Sequence, residues 1–219
     1  MVQTISKILY NSAMEHLRDK VLVLDLDGVV NWRVPAQKSG IPFLGYYNPE
    51  KYKIPVRVRN ITREINDQFS LKDIYDAIRH LLAPIFPDVA RLIKELENTT
   101  IYGSTGRQNT KSMVYATFWS LRMAGIIDKF DDIYFRPTGF TTTESKVAAL
   151  YDISQQWDQD QILVADDNPG DILPMARVFP NIRFFLIRDL TTSRLLRGVR
   201  PEEFPGVQIK PTLRAALSN

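Results

Sequence analysis

Val21-Leu22-Val23-Leu24-Asp25-Leu26-Asp27-Gly28 is the stretch on which the fold of this chain turns. Four consecutive apolar residues describe a strand buried on both faces, because a half-buried strand would alternate. Two carboxylates and a glycine follow at once. Two unit charges about 4 Å apart repel by roughly 4 kcal/mol at an effective dielectric of about 20, so the pair needs a counter-charge. A divalent cation answers that need, and Mg²⁺ prefers carboxylate and carbonyl oxygens. Gly28 lets the chain turn sharply and admits a ligand close to the backbone. A plain Asp-Gly turn is the alternative reading.

Outward from this stretch, strands alternate with helices. Pro87-Asp88 opens a helix carrying Val89, Leu92, Ile93 and Leu96 on one stripe. Thr99 to Tyr102 reads as a short strand that ends in Gly103-Ser104-Thr105-Gly106-Arg107. Lys111 to Met123 is helical, Ile133-Tyr134-Phe135 is a strand, and a helix begins over Ser145 to Tyr151. Gln161 to Ala165 is a strand ending in Asp166-Asp167-Asn168-Pro169-Gly170-Asp171, and Asn181 to Ile187 is the final core strand. This alternation predicts an α/β fold, a mainly parallel Rossmann-like sheet flanked by helices. Ligands of such sheets bind beyond the carboxyl ends of the strands. Asp25/Asp27, Thr105/Arg107 and Asp166/Asp167/Asp171 are therefore expected to meet at one edge.

Asn31 to Pro84 breaks the alternation and is too long for a plain loop in a compact domain. It reads as a small inserted cap over 31–84, with 1–30 and 85–219 forming the α/β core. Within it Ile54, Val56 and Val58 interleave with Lys53, Arg57 and Arg59, a strand with a basic outer face, and Leu71 to Leu82 is helical. Basic side chains beside Tyr46, Tyr47 and Tyr52 suit a nucleotide or a nucleic-acid end, and equally a solvated strand face with rings packed on the core. Met1 to Lys20 reads as an amphipathic helix through Ile5, Ile8, Leu9 and Leu17.

The composition narrows the classes. In 219 residues, 44% hydrophobic and 24% charged, the balance is that of a soluble globular protein and excludes a disordered chain, a collagen and a membrane span. There is no cysteine, so thiolate chemistry is excluded and any metal must take oxygen or nitrogen ligands. A net charge of +3 permits an anionic substrate without requiring nucleic acid. No secretion signal is visible at the amino end, so a cytoplasmic location is expected.

With the motifs in place, the chain resembles the haloacid dehalogenase (HAD) superfamily of phosphohydrolases. Asp25-Leu26-Asp27-Gly28-Val29-Val30 looks like its first motif and Thr105-Gly106-Arg107 like its second. Lys146 in Thr143-Glu144-Ser145-Lys146 resembles the third, and Val164-Ala165-Asp166-Asp167-Asn168-Pro169-Gly170-Asp171 the fourth. The resemblance covers roughly residues 20–190 in the family's order and spacing, with the insertion in the position of a C1 cap.

What the resemblance implies is a Mg²⁺-dependent phosphohydrolase acting through an aspartyl-phosphate. Asp25 would be the nucleophile. Asp27 would protonate the leaving oxygen and then deprotonate water, its carbonyl also meeting the metal. Thr105 would hold a phosphoryl oxygen, with Ser104 competing for that role. Lys146 would offset charge as a point cation, or be a solvated helix lysine. Asp167 is the preferred direct metal ligand, with Asp166 and Asp171 behind it. Gly28, Gly106 and Arg107 would line the substrate, Arg107 otherwise being an exposed helix-start arginine, and Arg57 and Arg59 would reach it from the cap. The family's ATPases resemble this pattern with threonine in place of Asp27, and its dehalogenases lack that second aspartate. His16 and His80 read as surface or packing residues far from the motifs. A small phosphorylated metabolite, a nucleotide among the candidates, is the expected substrate. The competing readings are a phosphatase or repair factor for nucleic-acid ends and a non-catalytic phosphate-binding module.

Overall fold

The computed structural model describes residues 15–31, 71–188 and 206–218. The basic strand with Arg57 and Arg59, the tyrosines near it, and most of the amino-terminal helix lie outside the described residues. Among the described residues, no helix is long and apolar enough to cross a membrane.

The strands are β1 (Val21–Asp25), β2 (Thr100–Gln108), β3 (Asp132–Arg136), β4 (Ile162–Asp166), β5 (Arg183–Ile187) and β6 (Val207–Lys210). They form one sheet in the order β3-β2-β1-β4-β5-β6, with every neighbouring pair parallel. The helices are α1 (Leu71–Leu82), α2 (Pro87–Glu95), α3 (Lys111–Met123), α4 (Thr142–Ile153), α5 (Pro169–Val178) and α6 (Leu213–Leu217).

All five residues of β1 are buried, as the unbroken apolar run requires. Successive side chains point to opposite faces. Leu22 and Leu24 therefore join one core layer with Leu92 and Ile93 of α2, Leu121 of α3 and Leu213 of α6. Val21 and Val23 join the other, with Val147 and Leu150 of α4 and Ile172 of α5. The strand order reverses between β1 and β4, and such a reversal opens a crevice beyond the carboxyl ends.

The two ends of the expected insertion meet at one seam. Asn31 and Ile85 form an antiparallel bridge, and the Phe86 amide donates to the Val30 carbonyl at 3.0 Å. Its described part is α1, which lies along α3.

Four expectations need correction. The second strand does not stop at Tyr102 but runs to Gln108, keeping its pairing with β3 through a shift in register between Ser104 and Gln108. Its glycines and polar residues hid this. The helix carrying Lys146 starts at Thr142, not near Ser145, because Thr141 and Glu144 form a reciprocal capping box. Asn181 to Ile187 is not the final strand, since β6 adds to β5 as a short edge strand with a two-residue alternation. Of the expected Met1 to Lys20 helix, the described part is a 3₁₀ turn, Glu15–Leu17, and at Asp19 the backbone enters the left-handed region (φ 59°), which Asp tolerates and a continuing helix does not.

Candidate active site

Three strand ends supply the site. β1 ends on Asp25, β2 carries Ser104, Thr105 and Arg107 in its last residues, and β4 ends on Asp166, with Asp167 next. Lys146 reaches them from α4 and Asp171 from the first turn of α5. All of these side chains are buried.

Carboxylate oxygens of Asp25, Asp166 and Asp167 lie within 4.8 Å of one another. Oxygen donors so close together suit a hard divalent cation. Gly28 explains how the third of them fits. Its φ of 93° is a left-handed turn that glycine adopts without strain, and a methyl group there would overlap the Asp167 carboxylate. The group that comes close to Gly28 is thus the protein's own carboxylate.

Lys146 stands among the acids. Its Nζ lies 2.7 Å from Asp166, 3.1 Å from Asp25 and 3.4 Å from Asp171. Burial works against its charge, but Asp166, Asp25 and Asp171 outweigh burial and push the amine well above its ordinary value. It is a fixed cation and not a solvated helix lysine. For Asp25, burial raises the carboxyl, Lys146 pulls it back, and Asp166, Asp167 and Asp27 raise it again, leaving it well above the carboxylate range. A cation beside Asp25 would relieve that cost.

Asp171 lies outside the three-carboxylate cluster. It accepts from the Thr143 hydroxyl and from Asn168 Nδ2 at 2.8 Å, besides facing Lys146. Its partners make it a strut of the lysine. Asn168 caps α5 by accepting from the Gly170 amide, which fixes the turn that presents Asp171.

Asp27 is also apart from the cluster. Arg107 grips it with a two-pronged pair, Nη2 to Oδ1 at 2.7 Å and Nε to Oδ2 at 3.0 Å. Arg107 is therefore not an exposed helix-start residue. It belongs to β2, is 2% exposed, and its guanidinium is occupied by Asp27. Burial alone would raise the Asp27 carboxyl, but Arg107 and then His80 outweigh it and hold the group well below the usual range. Both roles expected for Asp27, giving a proton to the leaving oxygen and taking one from water, pass through its protonated form, which Arg107 disfavours.

His80 was expected far from the motifs, and the structure overturns that. It is buried, and its Nδ1 lies 3.3 Å from Asp27 Oδ1, short of a well-aligned hydrogen bond. Nothing in its neighbourhood of sequence marks it; α1 brings it there by lying along α3. Thr117 and Thr143 were missed for the same reason, as ordinary threonines on helices. His16 is exposed, as expected.

The hydroxyls divide the second strand's roles. Ser104 is the register partner of Asp25, whereas Thr105 Oγ1 lies 3.5 Å from Asp27 Oδ2 and accepts from the Arg107 amide at 3.2 Å. Gly106 answers to packing: a Cβ there would come 2.8 Å from Thr142 Cγ2, so the first turn of α4 could not sit so close.

No family model matches the chain, and no curated protein matches it either. Solved structures do. A haloacid dehalogenase-like hydrolase from Streptococcus pneumoniae is similar at 18% identity, covering 90% of this chain and 96% of its own, with a TM-score of 0.50. A HAD phosphatase from Thermococcus onnurineus is similar at 16% identity over 89% and 94% of the two chains, with a TM-score of 0.51. An L-2-haloacid dehalogenase from Xanthobacter autotrophicus, solved with chloropropionic acid covalently bound, is similar at 14% identity over 90% and 96%, with a TM-score of 0.50. The chain has the haloacid dehalogenase fold, an architecture that hosts hydrolases acting on different bonds.

Proposed function

We propose that this chain is a Mg²⁺-dependent phosphohydrolase that acts on a small phosphorylated metabolite of the cytoplasm through a covalent aspartyl-phosphate on Asp25. The observation that carries this reading is the convergence of Asp25, Asp166 and Asp167 within 4.8 Å around a buried Lys146. Asp25, Asp166 and Asp167 would hold the metal, which when bound supplies positive charge against the phosphoryl oxygens. An Asp25 oxygen attacks phosphorus, and the leaving oxygen departs with the bonding pair. Thr105, or Ser104 beside Asp25, donates a hydrogen bond to a phosphoryl oxygen. Lys146 offsets the charge on Asp25 and on the transferring group. Asp27 then orients a water and takes its proton, the water oxygen bonds to phosphorus, and the bond to Asp25 breaks with its electron pair returning to the carboxylate. The proton on Asp27 passes to the departed oxygen or to solvent, so free phosphate, the alcohol and the original enzyme result.

Asp27 also favours phosphate over halide chemistry. The family resemblance of the sequence implies that dehalogenases lack this second aspartate, and here it is present, buried and gripped. Residues 31–84 stand where a substrate-selecting cap would, and Arg57 and Arg59 are its candidate contacts to an anionic substrate.

The test is phosphate release from a panel of sugar phosphates, mononucleotides and end-phosphorylated oligonucleotides, with Mg²⁺ and with chelator, beside Asp25→Asn. Metal-dependent turnover that Asp25→Asn abolishes is expected, best on a small ester. A folded protein that binds Mg²⁺ and releases phosphate from none of them would sink the reading. Preference for oligonucleotide ends with steep loss at higher salt would move it to nucleic-acid repair.

A further inference from the structure

We infer that Arg107 and His80 are positioning residues for Asp27, holding its carboxylate in aim for the water that attacks the phosphorylated Asp25. The inference rests on the phosphohydrolase reading and names how that site is regulated in its second half-reaction.

All three guanidinium nitrogens of Arg107 are committed inside the protein. Nε and Nη2 take one oxygen each of Asp27, and Nη1 donates to Thr117 Oγ1 at 2.8 Å. The Thr117 hydroxyl in turn donates to the Met113 carbonyl at 2.9 Å, so the far end of the fork is anchored to α3. A planar fork on both oxygens fixes the plane of a carboxylate, since rotating it breaks two charge-assisted bonds together. His80 closes the remaining side of Oδ1 at 3.3 Å. Among the described residues, what is left is the second lone pair of Oδ2, which meets the Thr105 hydroxyl at 3.5 Å. That lone pair opens toward the hydroxyl proposed to hold phosphate.

A base must lie within about 2.6–3.2 Å of the proton it takes, and a freely rotating carboxylate spends much of its time misaligned. Asp27 follows a turn just past β1 and has no strand pairing to steady it beyond an isolated bridge to Asn31. It is held instead by Arg107 of β2, which Thr117 of α3 braces, and flanked by His80 of α1. Its aim is thus set by how the helix closing the inserted segment seats on the core.

The experiment uses p-nitrophenyl phosphate, whose leaving group departs without a proton. Arg107→Lys, His80→Gln and Thr117→Val are compared with the wild-type enzyme in steady state and in the first turnover. If the aim of Asp27 toward water is lost, hydrolysis of the aspartyl-phosphate slows and its formation does not. Expected are a kcat lowered by about 10–100-fold in Arg107→Lys and about 3–10-fold in the other two. KM should fall in parallel, kcat/KM should hold within about twofold, and a burst of p-nitrophenol should appear that the wild type lacks. Thr117→Val removes one hydroxyl and serves where Arg107→Lys does not fold.

A raised KM at constant kcat would overturn the inference and make Arg107 a phosphate contact. Equal losses in kcat and kcat/KM without a burst would overturn it as well, reducing these residues to supports of the fold. If the wild-type protein hydrolyses no ester at all, the phosphohydrolase reading falls and this inference with it. If the wild type turns over and the variants show no burst, this inference alone falls.

Discussion

At the scale of single residues, Gly28 bears more than its size suggests. Its left-handed φ of 93° and the Asp167 carboxylate lying over it are two demands on one position. Gly28→Ala should cost at least about 1–2 kcal/mol from the backbone alone. It should also displace Asp167 and weaken Mg²⁺ binding by about tenfold or more, as losses of metal-site supports do. Urea denaturation and calorimetric Mg²⁺ titration read the two effects separately, and unchanged metal affinity would show that Asp167 does not contribute to the site. The residues differ in how far the sequence announced them. Asp25, Asp166, Asp167 and Lys146 stand at the ends or starts of elements that periodicity reveals, so a parallel sheet had to gather them. His80 and Thr117 stand in the middle of helices, and only the helix-on-helix contact of α1 and α3 gives them a partner. Arg107 was noticed without its partner, because a guanidinium beside a phosphate motif invites pairing with the substrate, while the carboxylate it grips in the fold is Asp27.

At the scale of elements, β3 and α4 are joined by a buried phenol. Tyr134 donates from Oη to Asp152 Oδ2 at 2.8 Å. Burial, then the hydrogen bond and charge of Asp152, push the Tyr134 hydroxyl far above its ordinary value. The folded state therefore keeps that proton more tightly than the unfolded chain does. Stability from this group is fully present below about pH 10, the ordinary tyrosine value, and is lost as pH rises beyond it. Alkaline unfolding should be steep in the wild type and flatter in Tyr134→Phe, as followed by the denaturation midpoint between about pH 9 and 12. Equal slopes would mean that another group governs the alkaline limb. The elements were legible where an apolar run or stripe spans them, as in β1, α2 and α3. They were not where the signal is polar: the second half of β2 is written in Ser104, Thr105, Gly106 and Arg107, and the start of α4 in a Thr141–Glu144 cap.

At the scale of the whole molecule, the site is a store of like charge at the open edge of the sheet. Among the described residues, five buried aspartates stand there with two buried cations, Lys146 and Arg107. Any cation that binds only the folded state stabilises it by mass action, about 2.7 kcal/mol at a hundred times its dissociation constant. Melting in MgCl₂ should exceed melting in chelator by several degrees, and Asp167→Asn should remove most of that difference. An equal shift in the variant would place the ion elsewhere on the surface. The order of the sheet was readable only in part, because pairing of a short edge strand such as β6 depends on contacts that a four-residue alternation does not specify.

The seam at Asn31 and Ile85 has a consequence for how such a protein diversifies. Because Asn31 and Ile85 meet at one bridge, the two ends of residues 32–84 are held together, and under the proposed reading of that stretch as a cap it would serve as a cassette whose replacement leaves the strands beneath undisturbed. His80 travels inside that cassette. A graft would carry with it a new neighbour for Asp27, so lineages that trade the insertion would retune the chemistry below in the same step.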